Sequence, residues 1–316
     1  MDSSVPSARE LAYCALPAQH LLTRRWVDDA ERLDLLAEWH TIDARLATDL
    51  EIAAARAQRF APGHAPEALL NRWVPATPDL TAMVSMRYEG GDPAKPFVDA
   101  TPLSRQLRAD DLAPLARAAI QTYGRLQPRY LRLWSAEPSG RFAGTCPDKR
   151  FLAAPILSLR AGGDQPVPAE LAIVPARTME EYDRAQSAYA VVDNAHPEHP
   201  SQAALQDFED LEESLQAGTL FDVTVGGDWA GYVATTTNGD TLGLPAYVVQ
   251  ELILTPQTRG RGYGRHLSTL LARALPDQTR VLIGTIHADN RGAREAAESA
   301  GRRDVGGWIQ VPLPTS

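Results

Sequence analysis

Apolar and polar positions alternate with two different periods along this chain, and each change of period marks a new element. Between Trp26 and Trp39, and again between Ile42 and Phe60, apolar residues including Leu33, Leu36, Leu46 and Leu50 recur at helical spacing among charged ones. Ala53-Ala54-Ala55 favours the second helix and Pro62-Gly63 ends it. The stretch from Pro66 to Val74 predicts a short helix with proline in its first turn. Leu80 to Tyr88 reads as a strand, Gly90-Gly91-Asp92-Pro93 as a turn and Phe97-Val98 as the start of a returning strand. Leu112 to Tyr123 predicts a helix, and Tyr130 to Trp134 and Ile156 to Leu159 predict strands.

A glycine- and proline-rich cluster at 161–168 then interrupts the pattern and predicts a division into domains at 1–163 and 164–316. Beyond it, Leu171 to Val174 is a strand. Thr178 to Tyr189 is a helix with a capping-box pair, Thr178 and Glu181. His196-Pro197-Glu198-His199-Pro200 is a surface loop without further ligands at metal spacing, and Ser201 caps a helix running to about Ala217. Phe221 to Val225 and Trp229 to Thr236 are strands joined by the hairpin signal Gly226-Gly227-Asp228. Tyr247 to Leu254 is an apolar strand interrupted by Gln250 and Glu251. His266 to Ala274 is a helix, Arg280 to Ile286 a strand, Asn290 to Ala300 a helix and Gly306 to Pro312 a last strand.

Between the apolar strand and the helix at 266 stands Arg259-Gly260-Arg261-Gly262-Tyr263-Gly264, followed by Arg265. Glycines allow the sharp bend, the helix start supplies unpaired N–H groups, and the arginines add positive charge, so the segment is an anion site suited to phosphate. A P-loop would need Lys-Ser/Thr after the last glycine, and Arg265-His266 follows instead. The dinucleotide fingerprint fails as well, because counting from Gly260 its last glycine falls on Arg265.

Arg259-x-x-Gly262-x-Gly264, preceded by Leu254-Thr255-Pro256, resembles motif A of the GNAT superfamily of acyl-CoA-dependent N-acetyltransferases. Asn290-x-x-Ala293 with Gly301 at the helix end is similar to motif B, and the resemblance spans about Leu171 to Leu313. It implies an α+β GNAT fold, a mixed and mostly antiparallel sheet flanked by helices. The element order of the first half suggests a tandem arrangement of two such domains, the first degenerate or else an unrelated accessory domain. Thr101-Pro102-Leu103-Ser104-Arg105 stands at the place of the glycine loop and has no glycine.

The same resemblance implies acetyl-CoA as cosubstrate, with the pyrophosphate held by Arg259, Gly260, Arg261, Gly262, Tyr263, Gly264 and Arg265. Leu252, Ile253 and Leu254 would meet the pantetheine arm through their backbone groups, and Asn290 would touch it from the next helix. Glu251 is the candidate base, because a carboxylate on an apolar strand is desolvated toward a useful pKa. His287 is the second candidate. Two departures matter: Ala297 stands where the family usually has a tyrosine, and Arg302 where it usually has a phenylalanine.

Composition narrows the partners. A formal net charge of −9 disfavours a general nucleic-acid binder. No apolar run approaches the about 20 residues of a membrane helix, and the chain start lacks a basic n-region. Cys14 and Cys146 are far apart and read as reduced thiols, with no metal implied. The expectation is a cytoplasmic N-acetyltransferase, monomer or homodimer, acting on an amine of a small molecule or peptide. The alternative is a non-catalytic acyl-CoA-binding or regulatory protein.

Overall fold

A computed structural model describes residues 5–162 and 166–314, so the boundary expected at 163/164 lies outside the described residues. The chain forms two compact units: one comprises Met1–Asp148 and Gly306–Ser316, the other Lys149–Val305. Neither unit is a continuous stretch matching the expected division at 163/164. The first includes the end of the chain, and the second includes residues ahead of the glycine-proline cluster.

In the first unit, helices α1 (Ala8–Ala15), α2 (Asp29–Thr48) and α3 (Leu50–Phe60) precede strands β1 (Arg72–Thr77), β2 (Leu80–Tyr88) and β3 (Pro96–Leu103). Helix α4 (Leu112–Tyr123) and strand β4 (Tyr130–Ser135) follow, and the unit also holds most of the last strand of the chain. The sheet order is β1-β2-β3-β4 with that last strand beside β4, antiparallel except for β3 and β4, which run parallel at Val98–Leu131 and Asp99–Arg132. The helical break falls at Asp49 and not near residue 41, because the Asp49 side chain accepts the Glu51 and Ile52 amides and so starts α3. The helix expected from Pro66 to Val74 is a single 3₁₀ turn, Pro66–Leu69, followed by β1. There Trp73 and Val74 have partners in Met83 and Ala82 of β2, and the ladder overrides local propensity. The core packs Leu69, Leu80, Met86, Leu115, Leu131 and Ile309 between the sheet and its helices.

The second unit begins within β5 (Cys146–Pro155), continues into α5 (Ile156–Arg160) and β6 (Leu171–Pro175), and then α6 (Tyr182–Ala195), α7 (His199–Gln202) and α8 (Phe208–Gln216). Strands β7 (Leu220–Val225), β8 (Asp228–Thr236) and β9 (Ala246–Leu252) lead to α9 (Gly264–Ala274). β10 (Val281–His287), α10 (Arg291–Ser299) and β11 (Arg303–Pro312) complete the chain. The sheet order is β5-β10-β9-β8-β7-β6. All neighbours are antiparallel except β9 and β10, which α9 connects as a crossover.

Several expectations change here. Ile156 to Leu159 is helical, and the strand lies just ahead of it: four successive buried residues, Phe151 to Ala154, pair with β10. Thr178 accepts the Glu180 amide in a turn and does not cap α6, which starts at Tyr182. The helix expected from Ser201 is split into α7 and α8 around residues 203–207. The last strand, expected to finish the second half, pairs through Gly307–Pro312 with β4 of the first unit's own sheet. Both faces of the second sheet are covered. Leu267, Leu271 and Leu275 of the α9 region pack with Tyr247, Leu282 and Val233, and Ala185, Ala188 and Leu211 pack with Tyr232, Ala234 and Ile253.

Candidate active site

Strand β9 is the spine of the site. Its parallel pairing with β10 lasts for only three residue pairs, Ala246–Val281, Tyr247–Leu282 and Val248–Ile283. Beyond Val248 the two strands part, although β10 continues to His287 and β9 stays bonded to β8. The Ile253 and Thr255 amides still reach the Tyr232 and Ala230 carbonyls on β8, at 2.9 and 2.8 Å. Successive residues of a strand point their backbone groups to opposite sides, so Leu252 and Leu254 face the gap and Ile253 faces β8. The Leu254 N–H has no hydrogen-bond partner among the described residues, while its carbonyl accepts Arg259 Nε at 2.7 Å.

A bulge changes the direction of the side chains. On β8, Ala234 pairs with Glu251 and the next residue, Thr235, with Val249, so one residue of β9 is extra. Gln250 accordingly meets Ser214 of α8, and Glu251, its immediate neighbour, meets Tyr189 of α6. Two consecutive side chains thus turn toward the helices α6 and α8, whereas strict alternation would have sent Glu251 to the α9 side.

Glu251 is 4% exposed. Its Oε1 accepts the Tyr189 hydroxyl at 3.0 Å and the Leu252 amide at 3.1 Å; its Oε2 is buried without a hydrogen-bond partner. Burial pushes its pKa up to about 7, against the opposing effects of the Tyr189 hydrogen bond, the Gln206 and Leu252 amides and the Arg259 charge. The Gln206 amide faces the carboxylate without reaching hydrogen-bond geometry. Tyr189 is itself shifted upward, by burial and by the Glu251 charge, so the phenol stays protonated and donates.

The glycine loop turns on Gly260 (φ 73°) and Gly262 (φ 82°), which adopt backbone conformations that a side chain disfavours. Thr255 anchors its base by accepting the Thr258 and Arg259 amides, and Arg259 ties it to the strand through the Leu254 carbonyl. None of the amides of Gly260, Arg261, Gly262, Tyr263 and Gly264 donates to the chain among the described residues. These groups therefore form a set of free donors at the N-terminus of α9. Tyr263 is buried and its hydroxyl donates to Glu170. Arg261 and Arg265 are exposed, the latter lying against Gly262. Gly264 lets α9 come close to α10, since a Cβ there would lie 3.4 Å from Ala296.

His287 closes β10, with its Nδ1 accepting the Asp289 amide at 3.2 Å. Asn290 caps α10 with Oδ1 on the Ala293 amide, which leaves its Nδ2 for other contacts. Ala297 is buried on α10 and offers no hydroxyl at the place of the family's tyrosine. Arg302 fills the phenylalanine position as a fully buried guanidinium on the Leu152 and Gly284 carbonyls, its pKa pushed down to about 10 by burial alone. Sequence reasoning missed Tyr189. In the sequence this residue only ends a predicted helix, and no local signal links it to a carboxylate 62 positions away.

In the first unit, side chains bond one another and the N-terminal segment around the start of α4 and the ends of β3 and β4. Asp111 stands at the start of α4 and accepts the Arg108 amide at 2.7 Å and both terminal nitrogens of Arg105. The Asp111 carboxylate thus turns back to the segment ahead of α4 and makes no capping hydrogen bond to the helix itself. At the C-terminal ends of β3 and β4, Gln106 and Trp134 bond the Pro17 and Ala18 carbonyls of the N-terminal segment.

Residues 179–301 match the family model described as "Acetyltransferase (GNAT) family". This stretch is a GNAT domain. No curated protein matches the sequence. Among solved structures, the chain is similar to an acetyltransferase from the GNAT family of Colwellia psychrerythraea, at 12% identity and TM-score 0.45, covering 74% of this chain and 81% of that one. It is also similar to a tandem GNAT protein from the clavulanic acid biosynthesis pathway, at 15% identity and TM-score 0.42, covering 85% and 97%. A third likeness is to a GCN5-related N-acetyltransferase from Sphaerobacter thermophilus, at 14% identity and TM-score 0.45, covering 75% and 78%. Among the described residues no group of three His, Cys, Asp or Glu side chains could hold a metal ion, and no helix is long and apolar enough to cross a membrane.

Proposed function

We propose that the chain is an N-acetyltransferase that uses acetyl-CoA and acts on an amine of a small molecule or peptide. The observation that carries this reading is the parting of β9 from β10 directly ahead of a loop whose amides have no internal partner. A gap between parallel strands offers backbone groups to an extended arm, and the loop offers donors to a pyrophosphate, so the residues present fit coenzyme A. Acetyl-CoA supplies an acyl group activated as a thioester. Gly260 to Arg265 hold the phosphates, the Leu252 carbonyl and the Leu254 N–H align the arm, and the Asn290 amide nitrogen adds a donor from α10. Glu251 takes the proton that an ammonium must lose before its nitrogen can attack. The first unit is proposed to be a worn copy that keeps the parallel pair β3–β4 around a crossover helix and has lost the phosphate loop.

Gly262→Asp tests the site. A Cβ at Gly262 would meet only the Arg265 side chain, at 3.8 Å or more, so the variant should fold. A carboxylate beside the pyrophosphate, on a backbone with φ of 82°, should weaken CoA binding about tenfold or more, roughly 1.4 kcal/mol by calorimetry. Unchanged affinity in the folded variant would place the site elsewhere. Calorimetry should also return one CoA per chain, because Thr101-Pro102-Leu103-Ser104-Arg105 of the first unit has no glycine loop. A stoichiometry of two would mean that this unit keeps a site of another design.

A further inference from the structure

Glu251 is a base without direct access to solvent: the residue is 4% exposed and its Oε2 is sealed with no partner. Its other oxygen has one side-chain partner among the described residues, the Tyr189 hydroxyl at 3.0 Å. Tyr189 is half-buried and lies on the helix α6 rather than in the sheet. Ala188 beside it packs into the core against β8, which fixes the helix and leaves Tyr189 at the margin of that packed face. Near the rim, the His199 ring lies 5.7 Å from the Tyr189 ring and is bonded to Asp193 at 2.6 Å.

We propose that Tyr189 is the catalytic relay between the acceptor amine and Glu251, so that every proton reaching the carboxylate crosses its hydroxyl. The inference rests on the acetyltransferase reading and deepens it. In the transfer, an N–H bond of the ammonium breaks and its electron pair stays on nitrogen as the lone pair that attacks. The phenol oxygen takes that proton while giving its own to Glu251 Oε1, so the phenol is regenerated and the carboxylate becomes a carboxylic acid. No oxidant or further reactant is needed.

A positioning role for Tyr189 predicts a different result, and the pH profile separates the two. The charged groups around the pair are Arg259 and Asp193, with the His199 ring beside them. Losing the phenol's hydrogen bond removes an interaction that favours the charged carboxylate, so Tyr189→Phe should move the acidic limb of kcat/KM to higher pH in either case. If Tyr189 only tuned Glu251, activity would recover fully once the pH exceeded the shifted limb. If it relays the proton, the plateau should stay at least tenfold low.

The experiment follows thiol release from acetyl-CoA with a panel of primary amines, for the wild type, Tyr189→Phe, Glu251→Gln and the double variant, with CoA affinity by calorimetry as the check on folding. The expected result is a lowered plateau in each single variant, no further loss in the double variant and unchanged CoA affinity. A Tyr189→Phe plateau within twofold of wild type overturns the relay and leaves the acetyltransferase reading standing, as do losses that multiply in the double variant. A wild-type protein that binds CoA yet releases no thiol with any amine overturns both.

Discussion

Glu251→Gln should lower kcat/KM by roughly 10²-fold or more while leaving CoA affinity nearly unchanged, measured with any amine that the protein accepts. The amide is nearly isosteric and can still accept the Tyr189 hydroxyl through its oxygen, so the loss isolates the proton-accepting role. A base with a pKa of about 7 is half charged near neutrality and fails on the acid side, so the wild-type profile should fall as pH drops through 7 and the variant should lack that limb. If Glu251→Gln keeps full activity and His287→Ala removes the limb instead, the base is His287. The geometry disfavours that outcome, because His287 Nδ1 already accepts the Asp289 amide.

The same carboxylate costs stability, and the sign can be worked out. Its folded pKa of about 7 lies above the ordinary 4.5, so between these values the folded protein binds more protons than the unfolded chain. Stability from this group is therefore full below about pH 4.5 and is lost as pH rises through 7, a change on the order of 3 kcal/mol. Glu251→Gln should be more stable than wild type at pH 8, with the advantage shrinking toward pH 5. Calorimetric melting at the two pH values would show it. An equal difference at both would mean that Glu251 does not carry its charge in a desolvated place.

The parts of this site that were legible in the sequence are those in which local chemistry and neighbouring residues suffice. The loop from Arg259 to Gly264 announced itself by glycine spacing between an apolar strand and a helical period, and the structure has donors free at the same place. Glu251 stood out as a charge in an apolar run. What could not be read was its direction: the extra residue opposite Ala234 and Thr235 turns both Gln250 and Glu251 toward α6 and α8, and a bulge of this kind leaves no mark in the pattern of a short strand. Tyr189 was illegible for a related reason, since its partner is set by how α6 lies on the sheet. Short apolar runs were ambiguous in period, which is why Ile156 to Leu159 read as a strand and proved to be helical. The destination of the last strand was illegible too. Its alternation fits any apolar sheet position, and only pairing shows that Trp308 and Ile309 lie against Trp134 and Leu133. The odd residue Arg302 was visible as a departure, but its burial on two carbonyls of β5 and β10 needed coordinates.

Gly231→Ala should destabilise the protein by roughly 3 kcal/mol or more, the largest stability effect expected of any single methyl group here. Gly231 lies in β8 beside a second bulge, where Val223 pairs with Gly231 and Thr224 with Trp229. Its φ of 150° belongs to the region that favours glycine, and a Cβ placed on it would lie 2.0 Å from the Ile253 carbonyl oxygen and 3.1 Å from Leu254 Cα. Those are backbone atoms of the segment that faces the gap between β9 and β10, so they cannot swing aside as a side-chain tip would. Relief requires β9 to shift away from β8, which breaks the Ile253–Tyr232 and Thr255–Ala230 hydrogen bonds and moves Leu254. Stability and CoA affinity should therefore fall together, read from urea denaturation and from calorimetry on the fraction still folded. Gly292→Ala is the matching control, since that glycine lies within α10 with open space where a Cβ would go. Alanine there should stabilise by about 0.4–1 kcal/mol through the unfolded chain. If Gly231→Ala instead stays within about 0.5 kcal/mol of wild type, β8 and β9 do not approach this closely. The backbone donors assigned to the gap would then need another geometry.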